Sequence, residues 1–462
     1  MRRVATPLVM VASLGLLAGC LGSPQQTDVT RNADAKELSL TITGNAVAGG
    51  KNATRAAWVT DWVIPKFTEA QKAKGVTVTV KFDGNGAGDE DYKTKVALDL
   101  KTGGGADVLT VDGIWIGEFA EAGQLKPLDE LVGKTKVDAW EGWSQVPRSV
   151  QGLGSFGERR YGIPDGTDGR VLFFNKKLFA QAGLPADWQP RSWTDILAAA
   201  GELKKLPGVT PLQVNAGTAM GEATTMQGVL PLLASAGKPL YRDGKWQAGP
   251  ALGEVLELYA KVYREGLGDP LTQQEAKGRD KSFAQFAEGK LGIMIESDYL
   301  WRGVVEPNRG VAKMADRDQA VGYAKIPARQ PGVGGRDFVS MSGGAVNVLN
   351  PATKYPQQAW ELLQFMNSAE ALKARAAGGA QVTARNDVNN QVLAGDPMLT
   401  YVAQQVLPVT HYRPPVAGYP RVSAALQQAT ADVIAGRTVA EALSNYRAAL
   451  SKIVGEANVD AG

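Results

Sequence analysis

The sequence has few of the residues on which disulfide, metal and histidine-dependent chemistry depend. Its 462 residues include one cysteine, Cys20, and one histidine, His411. A single thiol excludes an internal disulfide and a Cys-x-x-Cys site. Any Ser-His-Asp triad would have to use His411, a pair of histidine metal ligands cannot form, and no Gly-x-Ser-x-Gly motif occurs. We therefore expect neither a metal nor a cofactor.

Apolar runs long enough to cross a bilayer are also lacking. The longest run covers residues 8–17, behind Arg2 and Arg3, and leads into Leu-Ala-Gly-Cys at residues 17–20. A bilayer-spanning helix needs about 20 apolar residues. A short apolar run that follows positive charge and closes on small residues is typical of an export signal. Residues 1–19 are therefore predicted to be a signal peptide.

The cysteine that ends this segment resembles the lipobox cysteine of bacterial lipoproteins. The resemblance implies that Cys20 carries lipid, becomes the new amino terminus and anchors the protein to the outer face of the cell membrane. The alternative is an ordinary secretory signal with a chance cysteine. Residues 20–36 are mostly polar and without periodicity, which favours a flexible tether between the membrane and the folded body.

The sequence also lacks an excess of either charge. Without the signal peptide the chain has 48 basic and 47 acidic residues, a formal charge of +1. This balance gives no electrostatic reason to bind nucleic acid. It favours a neutral or locally matched ligand, and so a sugar over a phosphate-rich molecule.

Strand and helix patterns alternate through the rest of the chain, which predicts α/β layers with mostly parallel strands. The remaining length suits two ordinary domains. Strands are predicted at residues 38–43, 76–82, 106–111, 171–174 and 291–295. Helices are predicted at residues 56–72, 89–100, 116–122, 192–205, 356–367 and 422–435. Ser192, followed by Asp195, predicts an N-cap for the fourth of these helices.

Several short motifs resemble the maltose-binding type of extracellular solute-binding proteins. They are YGIP at residues 161–164, VLFFNKKLF at 171–179, FAEGK at 286–290, GGAV at 343–346 and AWELLQF at 359–365. Each motif is weak alone, but all of them occur in the family's order from about residue 38 onward. The resemblance therefore rests on the order of the motifs.

The resemblance implies a fold of two discontinuous α/β lobes joined by a hinge, with the ligand between them. The first lobe would comprise residues 37–165 and 326–380, and the second residues 166–325 and 381–462. The chain would cross between the lobes near residues 164–170, 323–327 and 378–383. It also implies a monomer that captures a mono- or oligosaccharide and delivers it to the permease of an ABC-type importer, without catalysis.

The family's pattern places the first group of candidate ligand contacts at strand ends and at the first crossing. Asp168 lies on the crossing, where its alternative role is to stabilise a glycine turn. Asp112 and Trp115 follow the third strand, at the edge where open α/β sheets bind ligands. Their alternative roles are a helix N-cap and a packed ring. Carboxylates bind sugar hydroxyls well because such hydrogen bonds are charge-assisted.

A second group of candidates follows the strand at residues 291–295. It comprises Glu296, Asp298, Tyr299 and Trp301, where relatives often carry Gly-x-Trp and this chain has Ser297 and Tyr299 instead. We expect Tyr299 to supply the aromatic plate on which a sugar stacks, with burial in the core as its alternative.

The remaining candidates are more scattered along the chain: Glu222, Ser342, Gly343, Gly344 and Arg385. The glycines could allow a close approach of backbone to ligand or could mark a tight strand end. Arg385 could reach the cleft from the third crossing or form a surface ion pair.

Two other functions stay open from the sequence alone. A lipid-anchored glycoside hydrolase needs only two carboxylates at a suitable separation, and the chain has 47 acidic residues. The second of these functions is that of a receptor for a non-sugar solute such as a peptide or a metal.

The lipobox interpretation predicts that Cys20→Ala releases the protein from membranes, because the acylated sulfur would be lost. Membrane and soluble fractions of bacterial cells expressing each form, probed with an antibody, measure this. Membrane association equal to that of the wild type would contradict the interpretation.

Overall fold

A computed structural model describes residues 28–50 and 52–462, apart from the side chains of Asp89 and Glu90. The predicted signal peptide, Cys20 and the first residues of the predicted tether lie outside these ranges. None of the described helices has the length and hydrophobicity that a bilayer crossing requires.

Strands and helices alternate along most of the described chain. The strands are β1 (Glu37–Gly44), β2 (Thr77–Gly84), β3 (Val108–Asp112), β4 (Ser155–Phe156), β5 (Arg159–Arg160), β6 (Gly162–Pro164), β7 (Arg170–Asn175), β8 (Thr210–Gln213), β9 (Tyr241–Arg242), β10 (Lys245–Gln247), β11 (Leu291–Ser297), β12 (Val321–Ala324), β13 (Ile326–Pro327), β14 (Phe338–Ser342), β15 (Ala345–Leu349), β16 (Thr410–Tyr412) and β17 (Val459–Asp460). The helices are α1 (Ala53–Trp58), α2 (Ile64–Ala73), α3 (Asp89–Thr102), α4 (Trp115–Glu121), α5 (Leu128–Val132), α6 (Lys134–Asp138), α7 (Arg148–Gln151), α8 (Lys176–Gln181), α9 (Trp193–Leu203), α10 (Glu222–Thr224), α11 (Leu230–Ser235), α12 (Pro250–Arg264), α13 (Gly278–Ala287), α14 (Arg317–Ala320), α15 (Pro356–Met366), α16 (Ala369–Ala377), α17 (Asn386–Val392), α18 (Pro397–Tyr401), α19 (Tyr419–Ile434) and α20 (Val439–Val454).

The first lobe is built on a five-stranded sheet with the order β2-β1-β3-β15-β6. Strand β1 pairs in parallel with β2 and β3. Its alternating sequence buries Leu38, Leu40 and Ile42, which pack against helices together with Trp58 and Trp360. The alternation predicted for this strand is confirmed.

The second lobe is built on a four-stranded sheet with the order β12-β7-β11-β8. Strand β7 is buried on both faces, as its uninterrupted apolar sequence predicts. Leu172 and Phe174 pack into one hydrophobic cluster, and Val171 and Phe173 pack into another. The two clusters therefore lie on opposite faces of the sheet.

The prediction of mostly parallel strands is wrong, because both sheets are mixed. All antiparallel pairs of the two sheets involve β7 or β15. The chain enters β7 directly from β6 of the other sheet, and it enters β15 from β14 across Gly343 and Gly344. Each of these strands is therefore entered from a strand of a different sheet, and no crossover helix within its own sheet fixes its direction. The direction of these strands is therefore set by the crossings between lobes.

The crossing segments lie side by side. Residues 165–169 lead from β6 to β7, and Gly166 forms a β-bridge with Thr383 on the third crossing. A small sheet with the order β13-β14-β16 accompanies the second crossing. Val339 and Met341 of β14 pack in the core of the second lobe, although the range predicted for the first lobe includes them. The domain boundaries stay a prediction.

Helix boundaries agree with the sequence where capping residues define them. Helix α9 begins after Ser192, whose hydroxyl accepts the N–H of Asp195 at 3.2 Å, so the predicted N-cap is confirmed. The helix predicted at residues 56–72 is split into α1 and α2 by a π-helical turn at Val59–Val63. The backbone stays helical through this turn, so Pro65 removes one hydrogen bond of a continuous helix, and the π-helical turn lies just before it.

Ser192→Ala should lower the free energy of unfolding by about 1 kcal/mol, because the N–H of Asp195 loses its acceptor. Urea denaturation followed by tryptophan fluorescence measures the change. Ser144→Ala, at an exposed serine, is the control. Equal stabilities of the two variants would contradict a capping role.

Candidate ligand cleft

A cavity of about 700 Å³ lies between the two lobes. Asp112 and Trp115 reach it from the first lobe, where β3 ends and α4 begins. Glu222 and Arg279 reach it from the second lobe, and Asp168 lies on the first crossing. The cleft thus collects charged side chains from both lobes and from the hinge.

Asp168 is held in place by groups on both sides of the hinge. The Gly343 N–H donates to Asp168 Oδ1 at 2.7 Å, and the Arg170 guanidinium pairs with the same oxygen. Arg170 Nε also donates to Gln227 Oε1 at 2.9 Å. Burial alone would raise the pKa of Asp168, but Arg170 and the Gly343 N–H lower the pKa overall. Asp168 is therefore an ionised acceptor with Oδ2 available for a ligand.

Asp112 and Glu222 face the cleft from opposite lobes and are joined by one arginine. Arg413 Nη2 donates to Asp112 Oδ1 at 2.9 Å, and Arg413 Nη1 donates to Glu222 Oε1 at 3.3 Å. Glu222 also accepts the hydroxyls of Tyr419 and of Ser423, the latter at 2.6 Å. Both carboxylates have fixed orientations and keep free lone pairs.

Glu296 lies behind the cleft wall and not in it, contrary to its prediction as a ligand contact. It is completely buried in β11, where its two oxygens accept Arg279 Nε at 2.8 Å and Nη2 at 2.7 Å. Arg279 itself lines the cleft. The buried carboxylate therefore orients an arginine that a ligand can contact.

Asp298 likewise lies outside the lining of the cleft. Its backbone N–H donates to the Gly169 carbonyl at 3.0 Å, and Arg302 Nε donates to Oδ1 at 3.2 Å. Burial raises the pKa of Asp298 to about 6, which Arg302 opposes and the nearby Asp168 carboxylate reinforces.

Tyr299 and Trp301 are packed into the second lobe, so the predicted aromatic plate is not at the cleft. The Tyr299 ring lies 6.4 Å from the Phe283 ring, between centroids. Trp301 Nε1 donates to Asp396 at 3.0 Å, and Arg317 covers its ring at 3.8 Å. The π-helical turn at Leu300–Val304 begins shortly after β11, with Tyr299 as its N-cap and Trp301 inside it, and both side chains pack with the hydrophobic cluster of this lobe.

Gly343 and Gly344 line the cleft, whereas Ser342 does not. A Cβ at Gly344 would lie 2.3 Å from the Gly166 carbonyl oxygen. Only glycine therefore allows the link between β14 and β15 to approach the first crossing so closely. Ser342 shares a hydrogen bond with Thr410 at 2.5 Å and lines a separate cavity of about 270 Å³.

Arg385 lies outside the lining too. It is buried and pairs with Glu141 at 3.1 Å and with Asp387 at 2.8 Å. It therefore fastens the third crossing to the first lobe and does not reach the cleft.

Sequence reasoning missed most of the basic and amide groups of the cleft. The lining residues that it did not name are polar or aromatic in the main: Asn45, Asn52, Arg55, Tyr92, Thr110, Arg170, Gln227, Arg279, Asp280 and Arg413. Of these residues, only Arg170 could have been identified from the sequence, because it lies two residues after Asp168, which was predicted to contact the ligand. The aromatic rings at the cleft expose little surface, 5% of Trp115 and 2% of Tyr92.

Among the described residues, no group of three or more histidine, cysteine or acidic side chains is arranged to hold a metal ion. The donors that converge on the cleft are guanidinium and amide groups, and the acceptors are carboxylates. This set suits a polar organic ligand.

Two hinged lobes with a polar cleft between them define a ligand-binding clamp. Residues 52–373 match the family of bacterial extracellular solute-binding proteins. This match covers well over half of the chain, and the chain belongs to that family. Membership of this family places the protein outside the cytoplasm.

Curated relatives are similar in sequence, and solved structures share the fold. Binding proteins of Brucella abortus (strain 2308) and Brucella suis biovar 1 (strain 1330) are each 24% identical over 357 residues, which cover 76% of this chain and of theirs. An ABC transporter solute-binding protein of Thermotoga lettingae TMO, bound with alpha-D-tagatose, has a TM-score of 0.70 at 24% identity and covers 90% of this chain and 100% of its own. The GacH receptor of Streptomyces glaucescens, solved with acarbose, has a TM-score of 0.71 at 19% identity over 91% of this chain and 99% of its own.

Asp298 predicts a pH dependence of stability. Its carboxyl keeps a proton up to about pH 6 in the native state, whereas an unfolded aspartate releases it near about pH 4. Between these values the native state binds more protons, so this residue lowers the free energy of unfolding as the pH rises. Asp298→Asn removes that effect, and the stability of the variant relative to wild type should rise from pH 4 to pH 6 and then level off.

Urea denaturation in steps from pH 4 to pH 8 measures this difference. Asp243→Asn, at an exposed loop residue, is the control and should follow the wild type throughout. A difference between Asp298→Asn and wild type that is independent of pH would contradict the assignment.

Proposed function

We propose that this chain is the substrate-binding component of an ABC-type sugar importer. It captures a mono- or oligosaccharide between its lobes and delivers it to permease subunits in the membrane. The observation that carries the proposal is the convergence of three oriented carboxylates, Asp112, Asp168 and Glu222, on one interlobe cleft. The saccharides bound by the structurally similar proteins support the same ligand class.

The chemistry of the cleft suits a polyol. Each sugar hydroxyl donates one hydrogen bond and accepts others. The three carboxylates offer acceptors, while Arg279 and Gln227 offer donors beside them. A volume of about 700 Å³ lies within the range of small-molecule sites, roughly 300 to 1,000 Å³. Because the charges are paired, the cleft accommodates a ligand without net charge.

Closure of the lobes would couple binding to delivery. Asp112 and Glu222 belong to different lobes, so a ligand that contacts both favours the conformation in which they approach. The adjacent crossings at residues 165–169 and 378–383 would supply the hinge. The permease would then recognise the closed form.

The proposal includes a location and an assembly state. Lipid on Cys20 would hold the protein at the outer face of the cell membrane. The predicted tether at residues 20–36 is docked in its described part, because the Val29 and Asn32 carbonyls accept Gln357 Nε2 at 2.6 Å and Gln358 Nε2 at 2.9 Å. We propose that it acts as a monomer, because each lobe buries its own core and the cleft is complete within one chain.

A lipid-anchored glycoside hydrolase is the second candidate. The observation in its favour is that more than one carboxylate faces the cleft, as hydrolysis requires. A binding protein for a non-sugar solute is the third. Both candidates predict outcomes different from those of a sugar clamp.

A panel of mono-, di- and oligosaccharides, peptides and metal ions tests all three functions. A sugar at about 100 times its dissociation constant should raise the free energy of unfolding by about 2.7 kcal/mol, seen as a higher melting temperature. Chromatography of the incubated sugar should show it unchanged. Stabilisation by peptides or metals alone, or the appearance of hydrolysis products, would contradict the proposal.

Asp168→Asn should weaken binding of the selected sugar about tenfold or more, because it removes a charged acceptor at the hinge. Isothermal titration calorimetry measures this affinity. Asp138→Asn is the matched control, since Asp138 pairs with Lys134 on the surface. Equal affinities of Asp168→Asn and Asp138→Asn would remove Asp168 from the site.

A further inference from the structure

The segment from Thr410 to Gly418 runs along the interface between the lobes. It begins as β16, which pairs with β14 of the small interlobe sheet. It ends at α19, whose Tyr419 and Val422 are buried in the core of the second lobe. We call residues 410–418 the interlobe strap.

The strap also touches the first lobe closely. Its Pro415 carbonyl lies so near Gly117 of α4 that a Cβ at Gly117 would be 1.8 Å from the carbonyl oxygen. Tyr412 of the strap packs against the hydrophobic cluster that contains Trp115 and Val346 of the first lobe. The strap therefore contacts both halves of the clamp, and sequence reasoning did not identify it as a crossing.

Arg413 lies in the middle of the strap and bonds to a carboxylate of each lobe. Its Nη2 lies 2.9 Å from Asp112 Oδ1, and its Nη1 lies 3.3 Å from Glu222 Oε1. Only 8% of the arginine side chain is exposed, against 37% of Asp112 and 34% of Glu222. Arg413 lines the cleft together with the two carboxylates, and the carboxylates are the more exposed of the three groups.

The surroundings keep this arginine charged and fixed. Burial would lower its pKa, but Asp112 and Glu222 raise the pKa overall. Arg413 Nε is buried and has no acceptor among the described residues. One guanidinium thus serves two carboxylates, and its position depends on both lobes.

We propose that Arg413 is a positioning residue that holds Asp112 and Glu222 in their ligand-facing orientations and couples the two lobes across the cleft. This inference rests on the proposed function of the cleft. Opening of the clamp would separate Arg413 from at least one of its carboxylates. Binding of a sugar to both carboxylates is therefore strongest in the conformation that Arg413 stabilises.

A distance measurement tests the coupling without any ligand. The full chain with Cys20→Ala has no other thiol, so Lys72→Cys in α2 and Lys261→Cys in α12 can be labelled specifically. Both lysines are exposed, one on each lobe. Pulsed electron paramagnetic resonance between spin labels then gives the distribution of interlobe distances.

We expect Arg413→Gln to shift this distribution to longer or broader distances, and Arg413→Lys to shift it less. Arg159→Gln is the control, because Arg159 forms a surface ion pair with Asp129 in the first lobe only. Identical distributions in the wild type, Arg159→Gln and Arg413→Gln would overturn the proposal.

Affinity measurements separate positioning from direct contact. Asp112→Asn and Glu222→Gln should have non-additive effects on sugar affinity in the wild-type background. The two effects should become additive in the Arg413→Gln background, because the shared partner is gone. Arg413→Gln itself should weaken binding tenfold or more. Additive effects in both backgrounds, or a loss of affinity with unchanged distances, would assign Arg413 no coupling role.

The two tests distinguish this inference from the proposed function. Failure of every saccharide to bind the wild type would refute the sugar function, while the ligand-free distances still decide whether Arg413 couples the lobes. Sugar binding with no change in distances would leave the function intact and refute the coupling.

Discussion

The pairing of buried charges at the crossings is the constraint on which the rest of the structure depends. Asp165 is completely buried on the first crossing, where Arg375 of α16 donates to it at 2.5 Å and Arg55 of α1 also pairs with it. Asp168 and Arg170 pair at the far end of the same crossing. A buried charge without a partner costs several kcal/mol, about 3 to 5 when one member of a pair is removed. The first crossing therefore follows a path on which each of these carboxylates keeps its arginine partner. That path places the lobes on either side of one cleft.

The same pairing explains how the cleft can be rich in charge and still suit a neutral ligand. Each carboxylate of the cleft wall except Asp280 has a cation or donor that fixes it: Arg170 for Asp168, and Arg413 for Asp112 and Glu222. A fixed acceptor loses little freedom when a hydroxyl binds to it, which favours affinity. The fixed orientation of these carboxylates therefore favours the binding of an uncharged sugar, and the family to which the chain belongs is one of solute-binding proteins.

The sequence predicted those parts of the fold that local chemistry determines. The alternation of β1, the apolar run of β7 and the Ser192 cap are properties of neighbouring residues, and each appears in the structure where it was expected. The direction of β7 and β15 depends on the path between lobes, which no local pattern encodes. Asp112, Trp115, Asp168, Glu222 and the two glycines line the cleft. Tyr299 caps a π-helical turn and Trp301 lies within it, and both pack with the hydrophobic cluster of the second lobe. Arg413 lies far along the chain from Asp112 and Glu222, so only the folded structure brings the three together.

We propose that a saccharide binds between the lobes and is held by groups of both. A crystal structure of the chain with the saccharide that stabilises it most tests this claim directly. We expect an intact sugar in the cleft, with hydroxyls about 2.6 to 3.2 Å from carboxylate oxygens of both lobes and of Asp168. A sugar bound to one lobe only, bound outside the cleft, or cleaved in place would contradict it.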